Sequence, residues 1–189
     1  MTKYAKCPIN IVAPSGGAIF LFSSLLHGET VATEIMEELL DKLKNGSTAI
    51  RYTVANKLGK MGDKTAVGPL IEAIDDPDDK VVDNAIYALG ELGDRKAIPR
   101  LIRALRSGKN ERIKKSAAKA LGMLAAKEAV DTLISALSDE DFRVRKSAAR
   151  SLGQIGDKNA VPALKKALGD PNFTVTKYVE DAIERIQGL

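Results

Sequence analysis

The chain of 189 residues has few of the residues that disulfide-rich, metal-binding or aromatic-lined proteins need. It has one cysteine, Cys7, and one histidine, His27, so it has no disulfide framework and too few ligands for a zinc site. Tryptophan is absent and aromatic residues make up 4% of the chain, which leaves Ala, Leu, Ile and Val to build the core. We therefore expect no metal, no cofactor and a cytoplasmic location.

Long apolar runs are also missing. No uninterrupted run reaches about 18 residues, so the sequence predicts no membrane span. The segment 8–26 follows two lysines and is apolar from residue 17 onward. A signal peptide has the same arrangement of basic residues followed by an apolar stretch. Pro14 and Gly16 interrupt it, and no small-residue cleavage site follows Leu26, which argues against secretion.

The charge is modest in total and uneven along the chain. The formal net charge is +4, but residues 75–94 hold seven acids and one lysine, a net charge of −6. Residues 95–119 hold ten basic residues and one glutamate, a net charge of +9. Such blocks create local fields that influence binding partners more than the total charge does.

The chain repeats itself. The segment "LGKMGDKTAVGPL" recurs in related form three more times, and the four copies begin at Leu58, Leu89, Leu121 and Leu152. The intervals are 31, 32 and 31 residues. A period of roughly 20 to 50 residues is typical of solenoids, in which each unit buries its apolar face against its neighbours.

Each period contains two helical patterns. Ile98, Leu101 and Leu105 recur at the spacing of one helix face and predict a first helix, which Gly93 and Asp94 separate from the helix before it. The same Gly-Asp pair recurs at residues 62–63 and 156–157, whereas the copy at Leu121 reads "LAAKEA" and predicts a turn of different shape.

The second helical pattern is rich in paired alanines. It reads "VVDNAIYALG", "IKKSAAKALG", "VRKSAARSLG" and, without the glycine, "VTKYVEDAIE". The pairs Ala117–Ala118 and Ala148–Ala149 let helices of successive units approach closely, so a leucine there would overpack the stack.

These patterns resemble the HEAT-like repeats of phycobilisome lyases, over about residues 31–189. The resemblance implies an all-α fold, a right-handed α-solenoid of the HEAT or armadillo type with about five helical pairs. It also implies that the second helices line the concave side and the first helices the convex side. We expect the pairs at about residues 31–62, 63–93, 94–125, 126–156 and 157–189.

Residues 1–30 do not fit the repeat and predict an atypical N-terminal segment, with a degenerate cap helix at 18–27 before a first helix at 31–44. In the resembled family, an acid before the second helix and a base within it form a ladder between repeats. Here Asp139 and Arg145 have that spacing. Because Asp76 faces Val82 and Asp170 faces Thr176, the ladder is expected to be incomplete.

Motifs for catalysis or ligand chemistry are weak. The segment "INIVAPSGGAIFLF" has the glycines of a phosphate-binding loop but lacks its GxxxxGK[ST] pattern. His27 lies near Ser23 and Ser24 without a third residue to orient it. The acids of "DDPDDK" at 75–80 lack the spacing of a calcium loop and predict a turn and a helix cap. We expect no catalytic residues and no metal ligands.

The outward positions of the second helices are the strongest candidates for function. Lys115, Lys119, Lys146 and Arg150, here called the basic row, recur at equivalent positions of neighbouring units and are expected to lie in register along one groove. The residues predicted to bind a partner are Tyr52, Asn56, Tyr87, Lys115, Lys119, Lys146, Arg150 and Lys177.

The sequence favours a non-enzymatic scaffold that binds an acidic or extended protein segment on this face. Three alternatives stay open. The resemblance implies a phycobilin-lyase-like handling of a chromophore, for which Asp83, Tyr87 and Glu91 form the one suitable cluster. The basic row could instead bind the phosphate backbone of a nucleic acid, or the lysines could be solvated side chains without a target.

Overall fold

Helices account for the regular secondary structure of residues 19–188, the part of the backbone described by this computed structural model; side chains are described from residue 32. The described residues form the helices α1 (Ile19–Asn45), α2 (Thr48–Met61), α3 (Val67–Glu72), α4 (Asp79–Leu92), α5 (Ile98–Ser107), α6 (Glu111–Met123), α7 (Val130–Ala136), α8 (Phe142–Ile155), α9 (Val161–Ala167) and α10 (Phe173–Gln187). They form five pairs in chain order, an α-solenoid as predicted. The even-numbered helices are the second helices of their pairs.

A similar turn recurs between each second helix and the next first helix. At three of these turns a glycine takes the left-handed conformation and the aspartate after it accepts a backbone hydrogen bond that opens the next helical segment. The glycines are Gly62, Gly93 and Gly156, with φ of 74°, 69° and 74°. The aspartates are Asp63, Asp94 and Asp157, as the Gly-Asp pattern predicted.

The turn after α6 keeps this left-handed step without a glycine. Ala125 has φ of 46°, a conformation that strains any residue with a Cβ. The N–H of Ala126 donates to the carbonyl of Leu121 and that of Ala125 to Gly122, which is a Schellman closure of the helix. The predicted loss of the aspartate cap is confirmed, because Ala126 makes no side-chain cap. The prediction of a differently shaped turn is confirmed in part, because α6 ends one residue earlier than the equivalent helices and closes with these two bonds, although Ala125 keeps the left-handed step.

The second helices pack on one another in an unbroken series, α2 on α4, α4 on α6, α6 on α8 and α8 on α10. Ala117, Ala118, Ala148 and Ala149 are fully buried in this layer, as predicted. Gly153 lies so close to α10 that a Cβ on it would meet the Cα of Ala182 at 2.8 Å. The first helices pack against their own second helices, α3 on α4, α5 on α6, α7 on α8 and α9 on α10, so the second helices form the continuous layer of the stack.

The chain divides into two compact units, Met1–Glu37 and Glu38–Leu189. Within the first unit, residues 19–37 are the N-terminal part of α1. The cap helix predicted at 18–27 and the helix predicted at 31–44 are not separate, because α1 is continuous from Ile19 to Asn45. Gly28 costs a helix about 1 kcal/mol but keeps the N–H that the helix needs, so it does not end α1.

Within the second unit, Leu39 and Leu43 are buried at the positions that match Leu70 and Ile74 of the next repeat. The residues before Ile19, including Cys7, lie outside the described residues, and so do the side chains of Ser23, Ser24 and His27. None of the described helices is both long enough and apolar enough to cross a membrane.

Candidate functional site

Some basic residues of the second helices hold the repeats together. Each pairs with an aspartate 25 residues later, in the turn of the next repeat, and these pairs are called here the inter-repeat ladder. The rungs are Arg51–Asp76 at 2.7 Å, Lys114–Asp139 at 2.9 Å and Arg145–Asp170 at 2.6 Å. Each aspartate also accepts the backbone N–H two residues further on, so it fixes its own turn as well.

The ladder differs from the one that the sequence predicted. Arg145 donates to the backbone oxygen of Asp139 at 2.8 Å, but its ion pair is with Asp170 of the next repeat. The ladder runs between repeats, as the resemblance implied, but Asp76 and Asp170, which were expected to lack a basic partner, both form rungs. One rung is missing because the equivalent positions hold Val82, which is buried, and Gly108, which has no side chain.

Two ladder carboxylates, those of Asp76 and Asp170, have lowered pKa values. Hydrogen bonding from Arg145 lowers the pKa of Asp170, although burial opposes the shift. Burial alone would raise the pKa of Asp76, but hydrogen bonds from Arg51 and from the N–H of Asp78 outweigh it and lower the pKa. Asp78 accepts the N–H of Lys80 at the start of α4, so the turn-and-cap interpretation of "DDPDDK" is confirmed.

The residues predicted to bind a partner are distributed over all five second helices. Tyr52 and Asn56 lie on α2, Tyr87 on α4, Lys115 and Lys119 on α6, Lys146 and Arg150 on α8, and Lys177 on α10. Tyr52 is 37% exposed and Tyr87 44% exposed, fractions high enough for both rings to be reached by a partner. Asn56 is half-buried, and Lys177 is exposed.

The structure brings the basic row together. Partial burial lowers the pKa of Lys119, and the nearby positive charges of Lys115, Arg150 and Lys146 lower it further, while Asp83 acts in the opposite direction. The carboxylate of Asp83 accepts a hydrogen bond from Ser116. Among the residues that the structure describes, no member of the basic row forms an ion pair. These four cations are therefore close to one another and available.

A cavity of about 490 Å³ adjoins the basic row at Arg150 and lies beside α10. Its lining includes Arg150, Thr174, Lys177, Tyr178, Asp181 and Arg185. The ammonium group of Lys146 lies over the ring of Tyr178, 5.9 Å from its centroid. Asp181 and Arg185 occupy outward positions of the last second helix but were not among the residues predicted to bind a partner, although Asp181 follows Arg150 at the 31-residue interval that relates Lys119 to Arg150.

No group of three or more His, Cys, Asp or Glu side chains able to hold a metal ion occurs within the described part of the chain. The cluster expected for chromophore handling is only partly available there, because Asp83 accepts the hydroxyl of Ser116. The Oε2 of Glu91 lies against Gly59, 2.8 Å from where a Cβ would be. Tyr87 and Glu91 are exposed, whereas Asp83 is half-buried.

Comparisons with known proteins agree with this architecture. The model of the family described as HEAT repeats matches residues 36–122 and 98–184. No curated protein matches the sequence significantly. A chain in the complex of CpcE and CpcF of phycocyanin lyase from Nostoc sp. PCC7120 is 28% identical with a TM-score of 0.73, over 81% of this chain and 65% of that one. The present chain thus spans less than two thirds of that lyase chain.

Two further solved structures share the fold at lower identity. A designed armadillo repeat protein in complex with the peptide (KR)4 is 19% identical with a TM-score of 0.66, over 84% of each chain. The Escherichia coli protein YibA is 21% identical with a TM-score of 0.63, over 78% of this chain and 57% of its own. The matched repeats cover most of the sequence, and the chain belongs to the HEAT repeat family.

Proposed function

We propose that this protein is a non-enzymatic scaffold whose concave second-helix face binds an acidic, extended segment of a partner protein. The observation that carries the proposal is the basic row, four neighbouring cations without an ion pair among the described residues. Partial burial and the neighbouring positive charges disfavour the charged form of Lys119 in the free protein. An anionic partner would relieve that repulsion, which favours binding.

Adjacent basic residues on α6 and on α8 differ in whether they form an ion pair. Lys114 and Arg145 form rungs of the inter-repeat ladder, whereas Lys115 and Lys146, one position further along, form no ion pair within the described chain. Successive side chains of a helix point about 100° apart, so the first of each pair faces the next repeat and the second faces the groove. Lys114 and Arg145 therefore have a structural role, and we assign Lys115 and Lys146 to binding of the partner.

The spacing of the basic row suits an extended peptide. Packed helices lie about 8–10 Å apart, and an extended chain advances about 3.3 Å per residue. An acidic residue at roughly every third position would therefore meet one cationic helix after another. The exposed rings of Tyr52 and Tyr87 would contact the part of the partner that lies over α2 and α4.

The test uses a labelled, glutamate-rich peptide of about eight residues, long enough to cross α6, α8 and α10. We expect the double variant Lys119→Glu/Arg150→Glu to bind it at least about tenfold more weakly than the wild type. The matched control is Lys165→Glu/Lys166→Glu, which makes the same charge change on exposed residues of α9. Equal loss in both variants, or no binding by the wild type, would refute the proposal.

A second candidate rests on the likeness to the CpcE–CpcF lyase complex. On this proposal the protein handles a chromophore, and the cavity beside α10 has the volume of a small-molecule site. Adding a bilin to the purified protein would then change the visible absorption spectrum of the pigment. An unchanged spectrum alongside peptide binding would leave the scaffold as the function.

The remaining alternative is that the basic row binds the phosphate backbone of a nucleic acid. In that case the affinity would fall steeply as the salt concentration rises, and material captured from a cell lysate would be lost after nuclease treatment.

We also propose a cytoplasmic location for the scaffold, because a chain with one cysteine suits a reducing compartment.

A further inference from the structure

The cavity beside α10 combines charges of both signs without pairing them. Arg150 projects from α8, while Lys177, Asp181 and Arg185 project from α10. Within the described chain, Asp181 forms no ion pair with any of the three cations, although all four line the same space. In the ladder, by contrast, the aspartates and their bases are in direct contact.

The walls of the cavity are held in place. Val175, Val179 and Ile186 of α10 are buried and do not line the cavity, so they anchor the helix that carries most of the lining. The cation of Lys146 covers the ring of Tyr178 and so connects the cavity wall to the basic row. A ligand that lies along the basic row would therefore reach the cavity at Arg150, which belongs to both.

A ligand that satisfies all of these groups needs an anion and a hydrogen-bond donor close together. The three cations favour a carboxylate, and Asp181 accepts hydrogen bonds but donates none in its ionised form. An acidic residue of a peptide offers both, because its side chain is an anion and the peptide backbone supplies N–H donors. The backbone of DNA offers phosphate and sugar oxygens without donors, so an ionised Asp181 would repel it.

We propose that this cavity is the subsite for one acidic residue of the partner peptide, and that Asp181 selects a peptide backbone over a phosphate backbone. The inference rests on the proposed function, since it names a specificity-determining residue for the same concave face. The negative charge of Asp181 weakens the attraction of the cavity for any anion. A ligand that donates a hydrogen bond to Asp181 offsets this loss, and a ligand without a donor does not.

The test compares Asp181→Ala, which removes both the charge and the hydrogen-bond acceptor, with Glu184→Ala, a variant of an exposed acid on the same helix that does not line the cavity. Both substitutions remove one negative charge, so they change the long-range field alike. Each variant and the wild type are titrated with the glutamate-rich peptide and with a single-stranded oligothymidylate of equal charge, at one fixed salt concentration. Circular dichroism establishes that both variants are folded.

We expect Asp181→Ala to bind the peptide about tenfold more weakly and the oligothymidylate several-fold more tightly, and Glu184→Ala to change the ratio of the two affinities little. If Asp181→Ala matches Glu184→Ala, or strengthens both ligands equally, the selective role of Asp181 is wrong while the scaffold function stands. If the wild type does not bind the peptide, the scaffold function itself fails.

Discussion

Arg145 of α8 reaches the turn of the following repeat and places its Nε 2.6 Å from a carboxylate oxygen of Asp170. The side chains are 13% and 6% exposed, so water screens this pair weakly. A second hydrogen bond of 3.0 Å joins the same two residues, and Asp170 also accepts the N–H of Asn172. One aspartate therefore shapes its own turn and attaches the preceding helix to it.

Removing the charge of Asp170 should destabilise the protein measurably. Asp170→Asn keeps an oxygen for the N–H of Asn172 but leaves the buried guanidinium of Arg145 without its counter-charge. We expect the free energy of unfolding to fall by about 1–3 kcal/mol in urea titration. The control is Asp75→Asn, which breaks the equally short pair with Arg100; Asp75 is 76% exposed there. That variant should change stability by less than about 1 kcal/mol, and an equal loss in both would show that burial is not the cause.

The ladder should also make stability depend on acid pH. The pKa of Asp170 and that of Asp76 are lowered in the folded protein, and the hydrogen bond from Arg143 lowers the pKa of Asp141 to about 2. The unfolded chain therefore takes up protons first, at its ordinary aspartate pKa of about 3.9. These carboxylates stabilise the fold fully above that pH, and their contribution is lost as the pH falls from there toward about 2. Urea titrations at several pH values should show a smaller acid-induced loss for Asp170→Asn than for the wild type.

Ala125 offers a stabilising substitution. Its positive φ of 46° strains an L-residue that has a Cβ, and glycine adopts this conformation freely at the other repeat turns. We expect Ala125→Gly to raise the free energy of unfolding by about 1 kcal/mol. Ala163→Gly in the interior of α9 should lower it by about the same amount, because glycine weakens a helix. A loss of stability in Ala125→Gly would contradict the strain at this turn.

The close approach of α8 and α10 predicts the effect of filling the space at Gly153. A methyl group there would meet backbone and side-chain atoms of Ala182 at 2.8 and 3.0 Å, so the helices must move apart. We expect Gly153→Ala to cost about 1–3 kcal/mol of stability. Gly68 of α3 has no neighbour within 4 Å of its added Cβ, so Gly68→Ala should be neutral or stabilising by up to about 1 kcal/mol. Thermal unfolding of the two variants distinguishes packing from helix propensity.

Binding of the acidic peptide should weaken in alkaline solution. Partial burial and the neighbouring cations lower the pKa of Lys119 in the free protein, so it loses its proton at a pH below the 10.5 typical of lysine. An anionic partner favours the protonated form, and binding is therefore coupled to proton uptake over that range. Lys119→Arg keeps its charge there and should bind with a smaller dependence on alkaline pH. An identical pH profile for both proteins would show that Lys119 does not face the partner.

Much of the fold could be predicted because its signals are local. The Gly-Asp pairs at 62–63, 93–94 and 156–157 act within a few residues of the backbone, and the helical spacing of Ile98, Leu101 and Leu105 is legible within one turn of helix. The repeat supplies these signals several times over. The continuity of α1 through Gly28 was missed because nothing in a short window distinguishes a tolerated helix glycine from a helix end.

The candidate site was predictable only in part. The repeat period placed Lys115, Lys119, Lys146 and Arg150 at equivalent positions, and the lowered pKa of Lys119 supports their proximity. The pairing of Arg145 was predicted incorrectly, because an acid six residues earlier in sequence looked like the natural partner. The acid that the guanidinium reaches lies 25 residues later.

The amino-acid sequence by itself determined the helical repeat, its period, its caps and the series of basic residues along it, since each depends on residues close together in the chain. Only the tertiary structure decided which basic residues form ion pairs in the ladder and which form none within the described chain. It also decided that Asp181 shares a cavity with Arg150, and that Ala125 is forced into a left-handed turn. The reason is that these features depend on the rotation and separation of one repeat relative to the next, which the packing of buried alanines and glycines sets.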